Sequence, residues 1–113
     1  MDILFVQDHD GSGLVVSKLL SGSGHRVTPA SSVEEALALL DCLRFDALVS
    51  DISLPDGSGM ELVAQAKKRQ PFRKAVALSN APQAADRSRS LQAGFDECLA
   101  KPVDLSQLRA LLL

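Results

Sequence analysis

Five times along this chain a short apolar run gives way to a segment with apolar residues at helical spacing, and that alternation leaves few architectures open. Ile3-Leu4-Phe5-Val6 precedes a segment carrying Val16, Leu19 and Leu20 at helical intervals. His25-Arg26-Val27-Thr28 precedes a segment opening at Ser32-Val33-Glu34-Glu35. That tetrad is a capping box, and Val33, Leu37, Leu40 and Leu43 then form one stripe. Ala47-Leu48-Val49 precedes a helix with Leu62, Val63 and Ala66 on one face. Ala75-Val76-Ala77-Leu78 precedes a more polar helix, Gln83 to Gln92, and Glu97-Cys98-Leu99-Ala100 precedes a last helix starting at Asp104, with Leu105, Leu108 and Leu112 inward. Gly22, Gly24 and Gly94 sit where the preceding helices should stop in a left-handed cap.

Strand-helix alternation of this kind implies a parallel sheet, right-handed crossovers and helices on both faces. At 113 residues there is room for one such domain, spanning residues 1–113, and for no second core. Runs one, three and four are almost continuously apolar, as in strands covered on both faces. Runs two and five carry Arg26 and Glu97 and belong at the edges. The strand order that puts those two outside is 2-1-3-4-5, the flavodoxin-like (βα)5 three-layer sandwich of the α/β class. In that order the topological switch point falls between strands one and three, and a ligand is expected there, beyond the carboxyl ends of the strands.

The residues at those ends form a short list. Strand one ends in Gln7-Asp8-His9-Asp10, strand three in Ser50-Asp51-Ile52-Ser53-Leu54-Pro55, strand four in Leu78-Ser79-Asn80 and strand five in Ala100-Lys101-Pro102. Two carboxylates side by side repel unless a cation intervenes. A hard ion with oxygen ligands, Mg²⁺, fits two carboxylates, a backbone carbonyl and retained waters. The ion and Lys101 would offset the charge of an incoming phosphoryl group, and Ser79 would hydrogen-bond one of its oxygens. Positioning and charge neutralisation are most of what phosphoryl transfer needs. A carboxylate acceptor gives an aspartyl phosphate.

On these residues the chain resembles the receiver domains of response regulators and hybrid histidine kinases, from Ile3 to Leu108. The stretch Phe45 to Gly59 resembles the family's phospho-acceptor strand and following loop, Ser79 its hydroxyl after strand four, and Lys101-Pro102 its lysine-proline pair. The resemblance implies that Asp51 is the acceptor and that Asp8, Asp51 and the backbone carbonyl of Ser53 bind Mg²⁺, with Gln7 reaching the metal through water. It implies Ser79 as the switch hydroxyl and Lys101 as the phosphate partner. It further implies a histidine kinase or histidine phosphotransfer domain as donor, and an output partner on the face of helix four, strand five and helix five. The isolated domain would be no enzyme, accepting a phosphoryl group and losing it again; a stand-alone protein and a piece of a hybrid histidine kinase both remain open as its setting. The segments around Gln7-Asp8-His9 and Leu54 to Gly59 look most like receivers of such kinases.

Two positions depart from that pattern. Gln7 stands where the family has a carboxylate, which predicts weaker Mg²⁺ binding. Cys98 stands where the family has Tyr or Phe, an aromatic ring that swings inward when the hydroxyl moves toward the phosphate. They leave open a degenerate receiver that binds partners without phosphorylation. A phosphohydrolase resembling the haloacid dehalogenases would carry an Asp-x-Asp pair after strand one, where this chain has Gln7-Asp8-His9-Asp10.

Other features are read as structural. Asp10 is expected to cap the first helix, His25 to open an edge strand and His9 to be passive. Asp56-Gly57-Ser58-Gly59 lacks the lysine and spacing of a P-loop and is expected to be a turn into a helix capped by Ser58 and Glu61. A net charge of -2 argues against direct nucleic-acid or anionic-membrane binding. The first apolar run is too short for a signal peptide or membrane span. Cys42 and Cys98 show no metal or disulfide spacing, so both are expected as small buried thiols in a reduced, cytoplasmic chain.

Overall fold

A computed structural model describes all residues except 8–17, 19, 23, 80–83, 101–103 and 113, together with the side chains of 84–86 and 105. The expectations placed on Asp8, His9, Asp10, Val16, Leu19, the helix start at Gln83, Lys101 and Pro102, and on the side chain of Leu105, therefore lie outside the described residues. The described elements run β1 (Asp2–Val6), β2 (Arg26–Ala30), α1 (Val33–Cys42), β3 (Ala47–Asp51), β4 (Ser53–Leu54), β5 (Gly57–Ser58), α2 (Gly59–Arg69), β6 (Lys74–Ser79), α3 (Ala84–Ala93), β7 (Glu97–Ala100) and α4 (Leu105–Leu111). Residues 18 and 20–22, ahead of β2, are helical as well.

The main sheet has the order β2-β1-β3-β6-β7, every pair parallel. With the two-residue strands β4 and β5 set aside, this is the expected 2-1-3-4-5. The edges are where the charged residues put them. β3 is buried along its whole length, whereas β2 exposes Arg26 and Pro29. A proline costs no ladder bond on an edge strand.

Alternation along the strands sorts the core into two halves. Ile3, Phe5, Ala47, Val49, Val76, Leu78 and Leu99 meet Leu20, Leu108 and Leu112 on one face. Leu4, Val6, Leu48, Ala75 and Ala77 meet Ala36, Leu40, Leu62, Val63 and Ala66 on the other. The helical turn at 20–22 and α4 thus cover one side of the sheet, and α1 and α2 the other.

Local chemistry sets the helix ends. Ser32 caps α1 by accepting from the Glu35 amide at 3.1 Å. The Glu35 carboxylate accepts from Ser31 Oγ at 3.3 Å, so the expected capping box carries its Ser32 half with Glu35 engaged elsewhere. Ser58 caps α2 through the Glu61 amide at 3.2 Å, and Asp104 caps α4 through the amides of Ser106 and Gln107. Lys67, Lys68 and Arg69 close α2, where cations offset the macrodipole. Gly24 and Gly94 have φ of 93° and 128°, the left-handed stops expected of them, while Gly22 is still helical.

Two further expectations are corrected, beside the stop expected at Gly22. Leu43 is 49% exposed, because it lies past the end of α1 with an extended backbone and has left the helical stripe. The thiols are not both buried. Cys42 is exposed at the last position of α1, and Cys98, on edge strand β7, is half-buried against the core.

At the end of the sheet where the strands begin, two Phe-Asp pairs act alike. Phe45 and Phe95 are buried in the same half-core. The Asp46 amide donates to the Asp2 carbonyl at 2.7 Å while its carboxylate accepts from the Asp2 amide at 2.8 Å. The Asp96 amide donates to the Ala75 carbonyl at 2.7 Å and its carboxylate accepts from the Ala75 amide at 2.7 Å. His25 lies at this end too, its Nδ1 3.3 Å from the terminal ammonium. Partial burial, that ammonium and Arg109 lower its pKa.

Among the described residues no helix is long and apolar enough to cross a membrane.

Candidate functional site

The register of the parallel strands decides which residues meet at the opposite edge. Val6 pairs with Ser50, so Gln7 comes opposite the position of Asp51 one step further along. Asp51 pairs with Leu78, so Ser79 lies one step beyond it on β6. Ser79 pairs with Ala100, the last residue of β7 before Lys101. Gln7, Asp51 and Ser79 therefore stand at the carboxyl ends of three adjacent strands, as expected for the switch point. Asp8 and Lys101, the next residues along their strands, lie outside the described residues.

Asp51 is 3% exposed and Ser79 5% exposed. Withdrawing a carboxylate from water this far is costly unless charge-bearing partners surround it. Ser50, wholly buried beside it, donates from Oγ to the Asp51 carbonyl at 2.9 Å. The Ile52 amide donates to the Leu78 carbonyl at 3.1 Å and carries the β3–β6 pairing past the acceptor position.

The chain then turns back. Ser53 pairs with Ser58 and Leu54 with Gly57 in a two-stranded antiparallel hairpin that alternation alone does not announce. Its base is closed by the Gly59 amide donating to the Ile52 carbonyl at 2.8 Å. Gly59 is required there, because a Cβ on it would collide with the main-chain oxygen of Asp51. Leu54 buries its side chain while Ser53 stays exposed, two residues past Asp51.

A residue that the sequence reading left as a plain turn sits at the hairpin tip. The Asp56 carboxylate accepts from the Val33 amide at 2.8 Å and from the Glu34 amide at 3.0 Å, both in the first turn of α1. Those two amides, Glu34 first, hold its carboxyl below the usual carboxylate range. The run Pro55-Asp56-Gly57 is itself a turn signature and marks where the hairpin reverses.

Gln7 is half-buried, and its amide donates to the Ala30 carbonyl at 3.0 Å. The described residues at these strand ends are thus the buried carboxylate Asp51, the buried hydroxyl Ser79 and the half-buried Gln7, with the hairpin carbonyls following Asp51 in sequence. An all-oxygen set of this kind suits a hard cation that keeps some of its water, and not one that prefers thiolate.

The family model of the response regulator receiver domain matches residues 3–113. TcrA, a transcriptional regulatory protein of Mycobacterium tuberculosis, is 30% identical over 110 residues, which cover 97% of this chain and 44% of TcrA. The sensor protein EvgS of Escherichia coli is 28% identical over 109 residues, covering 96% of this chain and 9% of EvgS. The chain thus spans less than half the length of either relative. A solved response regulator protein from Burkholderia pseudomallei, containing a phosphorylated aspartic acid, calcium ion and citrate, superposes with a TM-score of 0.91 at 26% identity. That match covers 99% of this chain and 66% of the Burkholderia chain.

Proposed function

Because the chain belongs to the response regulator receiver domain family, we propose that residues 1–113 form one phospho-accepting receiver in which Asp51 takes a phosphoryl group from a phosphohistidine. The donor is a histidine kinase or a histidine phosphotransfer domain. The observation that carries the reading is the burial of Asp51 at the end of the central strand, with Ser79 one register step away on the next strand.

In this reading an Asp51 carboxylate oxygen attacks phosphorus in line with the breaking phosphorus–nitrogen bond. The imidazole leaves with the bonding electron pair and takes up a proton. Asp51, Asp8 and the Ser53 carbonyl would hold Mg²⁺, with Gln7 contributing through water, and the ion would supply neutralising charge. Ser79 donates its hydroxyl proton to a phosphoryl oxygen, and Lys101 pairs with another. Gly59 lets the hairpin base close against the main chain of Asp51. Water later cleaves the acyl phosphate and restores Asp51, so the isolated domain is a switch and not an enzyme. It works in the cytoplasm, with no direct nucleic-acid or membrane contact.

The output partner docks on the face of α3, β7 and α4. Leu91 on α3 is 44% exposed, and Arg87 reaches Glu97 of β7 at 3.6 Å across that face. TcrA and EvgS place similar domains in a transcriptional regulator and in a sensor protein. Within that range we favour a hybrid histidine kinase as the parent chain.

Intact mass after incubation with acetyl phosphate and Mg²⁺ tests the proposal. A gain of about 80 Da, one phosphoryl group on a carboxylate, is expected for the native chain and absent in Asp51→Asn. No gain in the folded native chain favours the second reading, a degenerate receiver that binds its partner without phosphorylation. The uncharged Gln7 at the mouth and the half-buried, non-aromatic Cys98 speak for that reading.

A further inference from the structure

Ordinarily the residue just before a helix supplies its cap, and Ser32 does this for α1. Asp56 adds a second cap from a distance of 23 residues to Val33 and 22 to Glu34. The second cap does more than satisfy two amides, because of what lies on either side of it. The segment 30–34 holds the Gln7 amide at one end, through Ala30, and the hairpin tip at the other, through Val33 and Glu34. One short stretch of chain therefore grips both walls of the Asp51 mouth: the end of β1 and the hairpin that follows β3. The hairpin is anchored at its base by Gly59 to Ile52 and at its tip by Asp56. Ser53 lies between those anchors.

We propose that Asp56 is a positioning residue for the Asp51 centre. It fixes the distance between the end of β1 and the Ser53 peptide, and so presets the mouth for its cation. The inference rests on the reading that Mg²⁺ binds there. Asp56 touches neither the cation nor the phosphoryl group; it acts through the hairpin.

The test compares Asp56→Ala, Asp56→Asn and Ser32→Ala in the full chain, reading Mg²⁺ affinity by calorimetry, thermal midpoint by circular dichroism and phosphoryl uptake from acetyl phosphate. Ser32→Ala removes a cap from the same helix but leaves the hairpin tethered. Asp56→Ala is expected to weaken Mg²⁺ about tenfold, the lower end of the effect of losing an outer-shell partner of a metal ligand. Ser32→Ala should lower the thermal midpoint and leave Mg²⁺ affinity unchanged. Asp56→Asn, whose amide oxygen replaces only one of the two carboxylate oxygens, should recover part of the affinity. Native Mg²⁺ affinity in Asp56→Ala, or an equal loss in Ser32→Ala, would overturn the positioning role while leaving the acceptor reading intact. A native chain that binds no Mg²⁺ would overturn both.

Discussion

The α-carbon of Gly59 faces the main-chain carbonyl oxygen of Asp51 so closely that no side chain fits between them. The obstruction is backbone, not the end of a flexible side chain, so it cannot swing aside. Gly59→Ala should therefore force the hairpin base away from β3 and destabilise the fold by about 1 to 3 kcal/mol, the usual cost of overpacking. Urea denaturation followed by circular dichroism measures it. A midpoint equal to the native one would show that the hairpin base gives way freely.

Gln70 holds the turn between α1 and β3 from inside. Its side chain, 5% exposed, accepts from the Phe45 amide at 2.8 Å and donates to the carbonyls of Leu40 at 3.1 Å and Leu43 at 2.9 Å. Gln70→Leu keeps the bulk and removes all three bonds. The expected loss is about 2 to 6 kcal/mol, since the two fully buried groups left without this partner, the Phe45 amide and the Leu40 carbonyl, cost about 1 to 3 kcal/mol each. A loss below about 0.5 kcal/mol would mean that water replaces the side chain at the turn.

Gln7 carries no charge at the mouth, and Gln7→Glu should tighten Mg²⁺. A full charge about 6 Å from a dication is worth roughly 1 kcal/mol in a water-like dielectric, hence a gain of about five- to tenfold. Salt reduces it. Calorimetric titration of both proteins at one ionic strength decides the point, and equal affinities would remove Gln7 from the cation's surroundings.

The Asp56 carboxylate gives a pH signature. Its folded pKa lies below the usual value because the amides of Glu34 and Val33 favour the charged form. A group depressed on folding stabilises above its unfolded pKa, and the contribution fades as pH falls through the folded one. The difference in thermal midpoint between the native chain and Asp56→Asn should therefore hold steady near neutrality and shrink below about pH 4, the range in which a free aspartate titrates. Groups common to both proteins cancel in that difference. A gap that stays constant through the acid range would contradict the two amide bonds.

The strand order was legible because the edges carry visible marks: Arg26 on β2 and Glu97 on β7, against unbroken apolar runs in between. Register then followed, and it brings Gln7, Asp51 and Ser79 to one edge as strand-end reading expects. What escaped depends on geometry between distant segments. Leu43 fits the helical stripe by spacing, yet α1 ends before it, because the last turn of α1 is tied off by Gln70 from another element. The hairpin at 53–58 is too short for periodicity to register. Its tip also looks like any turn until the amides of α1 come within reach of Asp56. The exposure of Cys42 and Cys98 is likewise set by where a helix and an edge strand finish, not by their apolar neighbours in sequence.

The paired Phe-Asp clasps have a mechanical consequence. A beam clamped at one end deflects at the other. With Asp46 bolted to Asp2 and Asp96 to Ala75, the starts of β1 and β3 are clamped together, and so are those of β6 and β7. Strain introduced near Asp51 has no slack to take up below it. It is passed along the strands toward their carboxyl ends, over the length of a single strand.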